Sequence, residues 1–379
     1  MICIEMKNRN IFRNMWKLIF FLAFGFYSSF VFATDGKTKQ YANGQKPLDL
    51  VFCVDLSGST NGLINDLRDH LWLIINQANH MEPKPDLRIG VIGFSRPSFG
   101  KENSYVKILV PLTNNFDLVE MELYKLRPSI EKGDQIVSEA IRTAVNGMKW
   151  SDKSDAVKMI YLVGNGMVTA NGYEYVKYCE QARAKNIPIH ALYVMKSANW
   201  FKELPGYRRI AGITNGMQTE ITINKVEEVK VWNSVTANLE SLNAKFNATY
   251  YWTSNDSSTC RKSLTAADSG AYETSRETFL HRMYFKSSND FQSIYRNCDY
   301  LSSNMLQPSE TTAVNSDAFL LQVKELHKVR EEIQKQIHKE FPNVELDHLQ
   351  KAYVEGRMPD NNIFHRSVMN ILYRYWGLR

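Results

Sequence analysis

Short apolar runs alternate with helical patterns along the first two thirds of the chain. The runs predict strands at residues 48–54, 87–94, 105–112, 157–163 and 187–194. The first and fourth are apolar almost throughout, which is typical of strands buried on both faces of a parallel sheet. Pro111 in the third run predicts an edge strand or a strand end, because proline donates no hydrogen bond to a neighbouring strand.

Between these runs, apolar residues recur at the three- and four-residue spacing of amphipathic helices. The pattern predicts helices at residues 60–80, 117–126, 138–148 and 173–185, and around 207–212. Such alternation predicts an α/β fold for residues 47–223, with a mostly parallel, doubly wound sheet and helices on both faces. A further helical pattern covers 226–246, and residues 248–253 are typical of a strand.

The character of the chain changes after this point. Residues 254–315 are rich in Ser, Asn, Asp and Thr, which leaves open a disulfide-pinned insert or a partly disordered stretch. Residues 316–379 return to helical periodicity and form a mainly helical C-terminal region. One apolar stripe runs from 319 to 341 and a second amphipathic stretch from 363 to 376, and either packing against the body or contact with a partner would bury them.

The N-terminus has the pattern of a secretory signal peptide. A basic start precedes the apolar run 18–27, and small residues follow near Ala33. Residues 1–33 are therefore predicted to be a signal peptide cut after Ala33, with residues 34–46 as a polar leader. An uncleaved membrane anchor is the alternative, although the run is short for a span. The prediction places the protein in a secreted, periplasmic or cell-surface location.

Charge and cysteine content refine this picture. Without residues 1–33 the chain has 42 basic and 39 acidic residues, a net charge of +3 that calls for no nucleic-acid partner. No other stretch is apolar enough to span a membrane. In an oxidising compartment Cys260 and Cys298 are the favoured disulfide pair, while Cys53, inside a strand pattern, is expected to be a buried free thiol.

Candidate chemistry lies where the first strand ends. Asp55-Leu-Ser57-Gly-Ser59 supplies one carboxylate and two hydroxyls at alternate positions. Ligands of open α/β sheets bind at the carboxyl ends of strands. An all-oxygen ligand set with little charge suits a hard cation such as Mg²⁺.

This turn, placed between a buried strand and a helix, resembles the opening of a von Willebrand factor A-type (vWA) domain, which has a Rossmann-like doubly wound fold. The resemblance covers residues 47–245 and includes the strand at 88–95 and the segment Leu204 to Gly216, similar to the family's closing helix and glycine turn. It implies a metal-ion-dependent adhesion site that holds Mg²⁺ or another divalent cation. It also implies that an acidic side chain of a partner protein completes the coordination.

Two positions depart from the family's pattern. Gln135 stands where the family has a threonine, with Asp134 beside it, and Asn165 stands where it has an aspartate. The resemblance then implies the ligands Asp55, Ser57, Ser59, Asp134 and Asn165. Asparagine keeps an oxygen but loses a charge, so metal binding depends on whether Asp134 replaces that charge. Alternatively, the two serines cap the first helix, Asp55 accepts backbone N–H groups, and no metal binds.

The leading hypothesis is therefore an exported, non-enzymatic protein-binding or adhesion module that engages an acidic group through its metal site. The alternative is a metal-free vWA scaffold or assembly protein of the cell envelope, whose C-terminal helices make the contacts. Nucleophile-elbow, zinc-protease, phosphate-loop and dinucleotide motifs are all absent from the sequence. An enzyme with a C-terminal active site remains a third hypothesis.

Overall fold

A six-stranded sheet forms the centre of the structure, a computed structural model. The strands, in chain order β1 to β6, are Lys46–Asp55, Pro85–Phe94, Val106–Thr113, Val157–Gly164, Ile189–Met195 and Gln218–Thr222. Their order across the sheet is β3-β2-β1-β4-β5-β6. Only β3, at one edge, is antiparallel to its neighbour among these strands. This is the strand order of a doubly wound sheet, and the predicted fold class is confirmed.

The structure describes part of the chain. The described residues are 45–60, 62–126, 136–169, 172–195, 202–222, 234–253, 256–288, 294–295, 298–304, 317–340 and 363–377. The predicted signal peptide lies outside them, as do residues 34–44 of the predicted leader, Asp134 and Gln135. Within the described residues, no helix combines the length and apolar composition needed to cross a membrane.

Helices cover both faces of the sheet. In chain order, α1 to α11 are Leu63–Asn79, Phe116–Lys125, Val137–Gly147, Glu174–Ala184, Leu204–Ile213, Ser234–Ala248, Ser257–Thr274, Arg276–Lys286, Tyr300–Asn304, Asp317–Glu340 and Ile363–Trp376. Side chains of β1 alternate between two cores, as a strand requires. Phe52 and Val54 join the core containing α1, α2 and α11, while Val51 and Cys53 join the core containing α3, α4 and α5.

The C-terminal helices pack on one side of this arrangement of sheet and helices. The final helix, α11, packs against α1 and against β4, β5 and β6. Tyr161 of β4 donates its hydroxyl to the Val368 carbonyl at 3.0 Å. Helices α7 and α8 pack on α2 and α1. In α10, Ile333 and Ile337 are buried on the body, whereas Leu321 is 70% exposed. The predicted stripe therefore packs mainly through its second half.

The disulfide prediction is confirmed. Cys260 of α7 is bonded to Cys298, and Cys53 is a buried free thiol, as is Cys179.

Other predictions of secondary structure differ from the structure. The predicted strand at 248–253 is wrong, since only an isolated bridge pairs Trp252 with Asp299. Strand β6 and helices α7 and α8 were not predicted, because their sequences are polar.

A buried ion network joins the C-terminal helices to the sheet domain. The Arg282 guanidinium of α8 pairs with Asp117 of α2 and lies 2.8 Å from the Asp268 carboxylate of α7. Lys286 donates to Asp268 at 2.8 Å. All four side chains lie in the interior. Burial alone would raise the pKa of Asp268, but the positive charges of Lys286 and Arg282 outweigh it and bring that pKa to about 2.

Replacing Arg282 with Met should strongly destabilise the protein. The substitution leaves Asp117 buried without its cation, and breaking one partner of a buried pair typically costs about 3–5 kcal/mol. Urea denaturation followed by circular dichroism measures the change in the free energy of unfolding. The matched control is Arg208→Met, which removes an exposed pair with Glu220 at 3.0 Å and should cost at most about 1 kcal/mol. Equal losses in the two variants would contradict the role of the network.

Candidate metal site at the sheet switch point

The sheet topology brings together the ends of β1 and β4. Chain connections run outward in opposite directions from these two adjacent strands, so a crevice forms at their carboxyl ends. Asp55 is the last residue of β1, and Asn165 directly follows β4. Two candidate residues that are 110 positions apart in sequence thus lie side by side.

Asp55 is fully buried in this crevice. Its Oδ1 accepts the Ser57 N–H at 3.0 Å, and its Oδ2 accepts the Asn165 N–H at 3.4 Å. Burial raises the pKa of Asp55, while the hydrogen bonds from Ser57 and the Asn165 N–H lower it in part. No basic group is among the main causes of this shift. Within the described residues, Asp55 is therefore a buried carboxylate without a counter-ion.

The hydroxyl of Thr60, a residue that was not predicted to belong to the site, stabilises the turn after β1. Residues Gly58–Thr60 form a single 3-10 turn. The Thr60 hydroxyl lies 2.6 Å from the Asp55 carbonyl and 3.0 Å from the Ser57 carbonyl, and both can accept its proton. Ser57 is buried in this turn. The Ser59 backbone belongs to the same turn, but its side chain lies outside the described part.

Asn165 contacts Asp55 through its backbone. Its side-chain Nδ2 donates to the Val194 carbonyl of β5 at 3.3 Å, which ties the amide to the neighbouring strand. Its N–H binds Asp55, as described above. Asp134 falls in the segment 127–135, outside the described residues. That segment ends just before α3, whose Val137 N–H donates to the Met167 carbonyl at 3.4 Å. In the chain, Asp134 therefore precedes a helix, α3, whose first residue contacts the loop after Asn165.

Ser95 is a second site residue that was not predicted. It follows Phe94, which pairs with Asp55 across β2 and β1. Ser95 is buried and adopts a φ of 72°, an uncommon backbone conformation for a residue other than glycine. Its hydroxyl lies close enough to lower the pKa of Asp55, yet makes no hydrogen bond of normal geometry within the described residues. A buried hydroxyl thus stands beside the carboxylate with bonding capacity to spare.

Tyr207 of α5 lies near Asp55. It is fully buried, and burial raises the pKa of its hydroxyl well above the ordinary value, with the Asp55 charge adding to the shift. Only a three-dimensional arrangement shows Ser95 and Tyr207 to be near Asp55, since neither belongs to a local motif. Among the described residues, no group of three His, Cys, Asp or Glu side chains is placed to hold a metal. The described residues alone would offer a cation here one carboxylate and the surrounding hydroxyls.

Comparisons with known proteins leave the family unassigned. No family matches the chain, and no curated protein matches its sequence. Several solved structures are similar over about half of it. The SpRpn10 VWA domain has 12% identity and a TM-score of 0.34, covering 48% of this chain and 90% of that one. A von Willebrand factor type A structure from Catenulispora acidiphila has 12% identity and a TM-score of 0.35, covering 47% and 39%.

A third similar structure is the pilus adhesin SpaC from Lactobacillus rhamnosus GG in an open conformation. It has 17% identity and a TM-score of 0.36, covering 46% of this chain and 28% of the adhesin. The match thus spans much less than two thirds of the second and third proteins. At these scores the similarity assigns neither a family nor an activity to the chain.

Gly164 allows β4 to approach Asp55, so its replacement by Ala should disturb the site. A Cβ at Gly164 would lie 2.4 Å from the Asp55 Cβ. Overpacking of this kind typically costs about 1–3 kcal/mol in the free energy of unfolding. Thermal or urea denaturation measures the loss. Gly212→Ala is the control, because an added Cβ in α5 meets nothing within 4 Å and should stabilise the helix by up to about 1 kcal/mol. A neutral Gly164→Ala variant would contradict the close approach.

Proposed function

We propose that the chain is an exported, non-enzymatic protein-binding module of the vWA type that captures an acidic side chain through a divalent cation at Asp55. One observation carries the proposal. Asp55 is fully buried at the switch point of the sheet and has no counter-ion among the described residues. Burying a lone carboxylate costs free energy that a bound cation would offset.

The donor set fits a hard cation. Asp55, Ser57 and Ser59 would supply the first oxygens, with Asp134 and the Asn165 side chain as the predicted loop ligands. The unsatisfied hydroxyl of Ser95 adds a further oxygen beside the carboxylate. Oxygen ligands in small number suit Mg²⁺, which retains several waters. A bound cation supplies an electrophilic position for a carboxylate of the partner, and no nucleophile or general base is required.

Export is supported by the covalent structure as well as by the N-terminal pattern. The Cys260–Cys298 disulfide links α7 to the segment before α9. Disulfides persist in oxidising compartments and are rare in the cytosol. A secreted, periplasmic or cell-surface protein would keep this bond, which agrees with the predicted signal peptide.

A metal-free scaffold is the second candidate, and one observation favours it. Both Asp55 oxygens already accept backbone N–H groups, and Thr60 fixes the turn without a metal. Such bonds stabilise a carboxylate at the start of a helical turn. In this alternative the C-terminal helices make the contacts, and the part of α10 around the exposed Leu321 is the available surface.

Mg²⁺ should raise the melting temperature of the wild-type protein and leave Asp55→Asn unchanged. A cation at ten times its Kd adds about 1.4 kcal/mol to the free energy of unfolding. Because the pKa of Asp55 is raised, protons compete with the cation, and the stabilisation should shrink as pH falls through that pKa. Differential scanning fluorimetry with Mg²⁺ and with EDTA measures both effects.

Asp86→Asn is the matched control, since it removes the same charge from an exposed position. Asp86 lies near the start of β2, whereas Asp55 pairs with the last residue of that strand. Its response to Mg²⁺ should equal that of the wild type. A wild-type protein that shows no response, or an Asp55→Asn variant that responds fully, would support the metal-free scaffold and reject the cation site.

A further inference from the structure

Ser95 lies directly after β2, at the point where that strand ends beside the end of β1. Phe94, the residue before it, pairs with Asp55 in the sheet. The Leu56 N–H donates to the Phe94 carbonyl at 3.0 Å, so the chain just after Asp55 is bonded to the chain just before Ser95. The pairing of the two strands therefore fixes the Ser95 backbone beside Asp55.

The backbone of Ser95 adopts a conformation that serine rarely takes. Its φ is 72°, in the left-handed region. The Cβ of an L-residue crowds the backbone there, whereas glycine has no Cβ and is free of this strain. Strained residues of this kind persist only where the surrounding structure holds them, and they cluster at functional sites. The group that a glycine could not supply at this turn is the serine hydroxyl.

The Ser95 hydroxyl is shielded from water, since the residue is only 1% exposed. It makes no hydrogen bond of normal geometry within the described residues, and leaving a buried hydroxyl unpaired costs free energy. It nevertheless lies close enough to Asp55 to lower the pKa of that carboxyl. The Thr60 hydroxyl, in contrast, is directed at the Asp55 and Ser57 backbone carbonyls. Of these two hydroxyls, that of Ser95 is the one without a partner in the structure.

We infer that the Ser95 hydroxyl is an oxygen ligand of the cation proposed at Asp55, and that the left-handed turn at Ser95 holds this hydroxyl in place. The inference rests on the proposed cation site and adds to it a residue from outside the motif that begins at Asp55. A hydroxyl can offer a lone pair to a cation while it donates its proton to a carboxylate, so one group serves both. An oxygen from the end of β2 also takes the place of the threonine that is Gln135 in this chain.

Mg²⁺ titrations of Ser95→Ala and Ser95→Gly test the ligand role. Both substitutions remove the hydroxyl, and both should weaken Mg²⁺ binding by about 10-fold or more. The dependence of the melting temperature on Mg²⁺ concentration, followed by differential scanning fluorimetry, gives the Kd of each variant. In EDTA, Ser95→Gly should raise the melting temperature by up to about 2 °C, because it relieves the backbone strain. A serine that served only to stabilise the turn would not combine a gain in stability with a loss of Mg²⁺ affinity.

Ser104→Gly is the matched control. Ser104 also has a positive φ, of 54°, but it lies at the far end of the same loop, two residues before β3 begins at Val106. This substitution should likewise raise the melting temperature in EDTA and should leave the Mg²⁺ affinity unchanged. Wild-type affinity in both Ser95 variants would overturn the ligand role and leave the cation site standing. A wild-type protein that shows no response to Mg²⁺ would overturn the cation site and this inference together.

Ser95→Cys separates a metal ligand from a residue that only supports the turn. A thiolate is a soft ligand that favours Zn²⁺ over Mg²⁺. The variant should bind Mg²⁺ more weakly than the wild type and Zn²⁺ about 10-fold or more tightly, and the gain should vanish when Asp55→Asn is added. Ser104→Cys controls for Zn²⁺ binding by a thiol elsewhere and should behave as the wild type. No gain in Ser95→Cys, or an equal gain in Ser104→Cys, would overturn the ligand role, and the Ala and Gly variants decide the matter if the Cys variant folds poorly.

Discussion

The burial of β1 on both faces is the constraint on which the rest of the structure depends. This strand pairs with β2 on one side and β4 on the other, and its side chains enter both cores. A parallel strand in this position is apolar along most of its length: Asp49 pairs with Arg88 near its start, and the polar groups of the crevice lie at its carboxyl end. Asp55 occupies that end, and the same packing that fixes the strand removes the Asp55 carboxylate from water. The fold and the electrostatics of the site therefore have one cause.

The C-terminal helices extend this core and belong to the same body of packing. Arg282, Asp117 and Asp268 form ion pairs across α8, α2 and α7. Arg330 of α10 is likewise buried and contacts Asp299 at 3.0 Å and the Thr249 hydroxyl at 2.9 Å. Buried pairs of this kind contribute little net stability, but separating them leaves uncompensated charge. The helices are thereby fixed in one arrangement on the sheet domain.

Sequence patterns predicted the helices and strands whose buried residues are apolar and regularly spaced along the chain. The strand at 157–163 and the helix at 363–376 are apolar at the spacing that their structure requires, and both were found. Helices α7 and α8 were missed because their buried faces include Asp268, Arg282 and Lys286, which are polar in sequence and buried only because they pair in space. The strand β6 was missed because only Ile221 of its five residues is buried.

Sequence patterns likewise predicted only those residues of the candidate site that belong to one local motif. Asp55 and Ser57 belong to one short motif and were found together. Ser95 and Tyr207 reach the carboxylate from β2 and α5, and no spacing rule links them to Asp55. Asn165 was predicted to offer a side-chain oxygen, and the sequence did not show that its amide nitrogen donates to β5 or that its backbone N–H binds Asp55. Such details depend on how neighbouring strands pair, which the pattern of residues along one strand does not contain.

Two other kinds of buried ionisable group among the described residues give Asp55 its meaning by comparison. Asp268 has two cations within hydrogen-bond distance, and its pKa is lowered to about 2. His190 and His281 have no opposite charge beside them and remain neutral at pH 7 with lowered pKa values. Asp55 also has no opposite charge beside it, but a carboxylate at pH 7 remains neutral only if its pKa is raised above 7. A cation would convert Asp55 from the situation of the histidines to that of Asp268, and this change is the physical basis of the cation site that we propose.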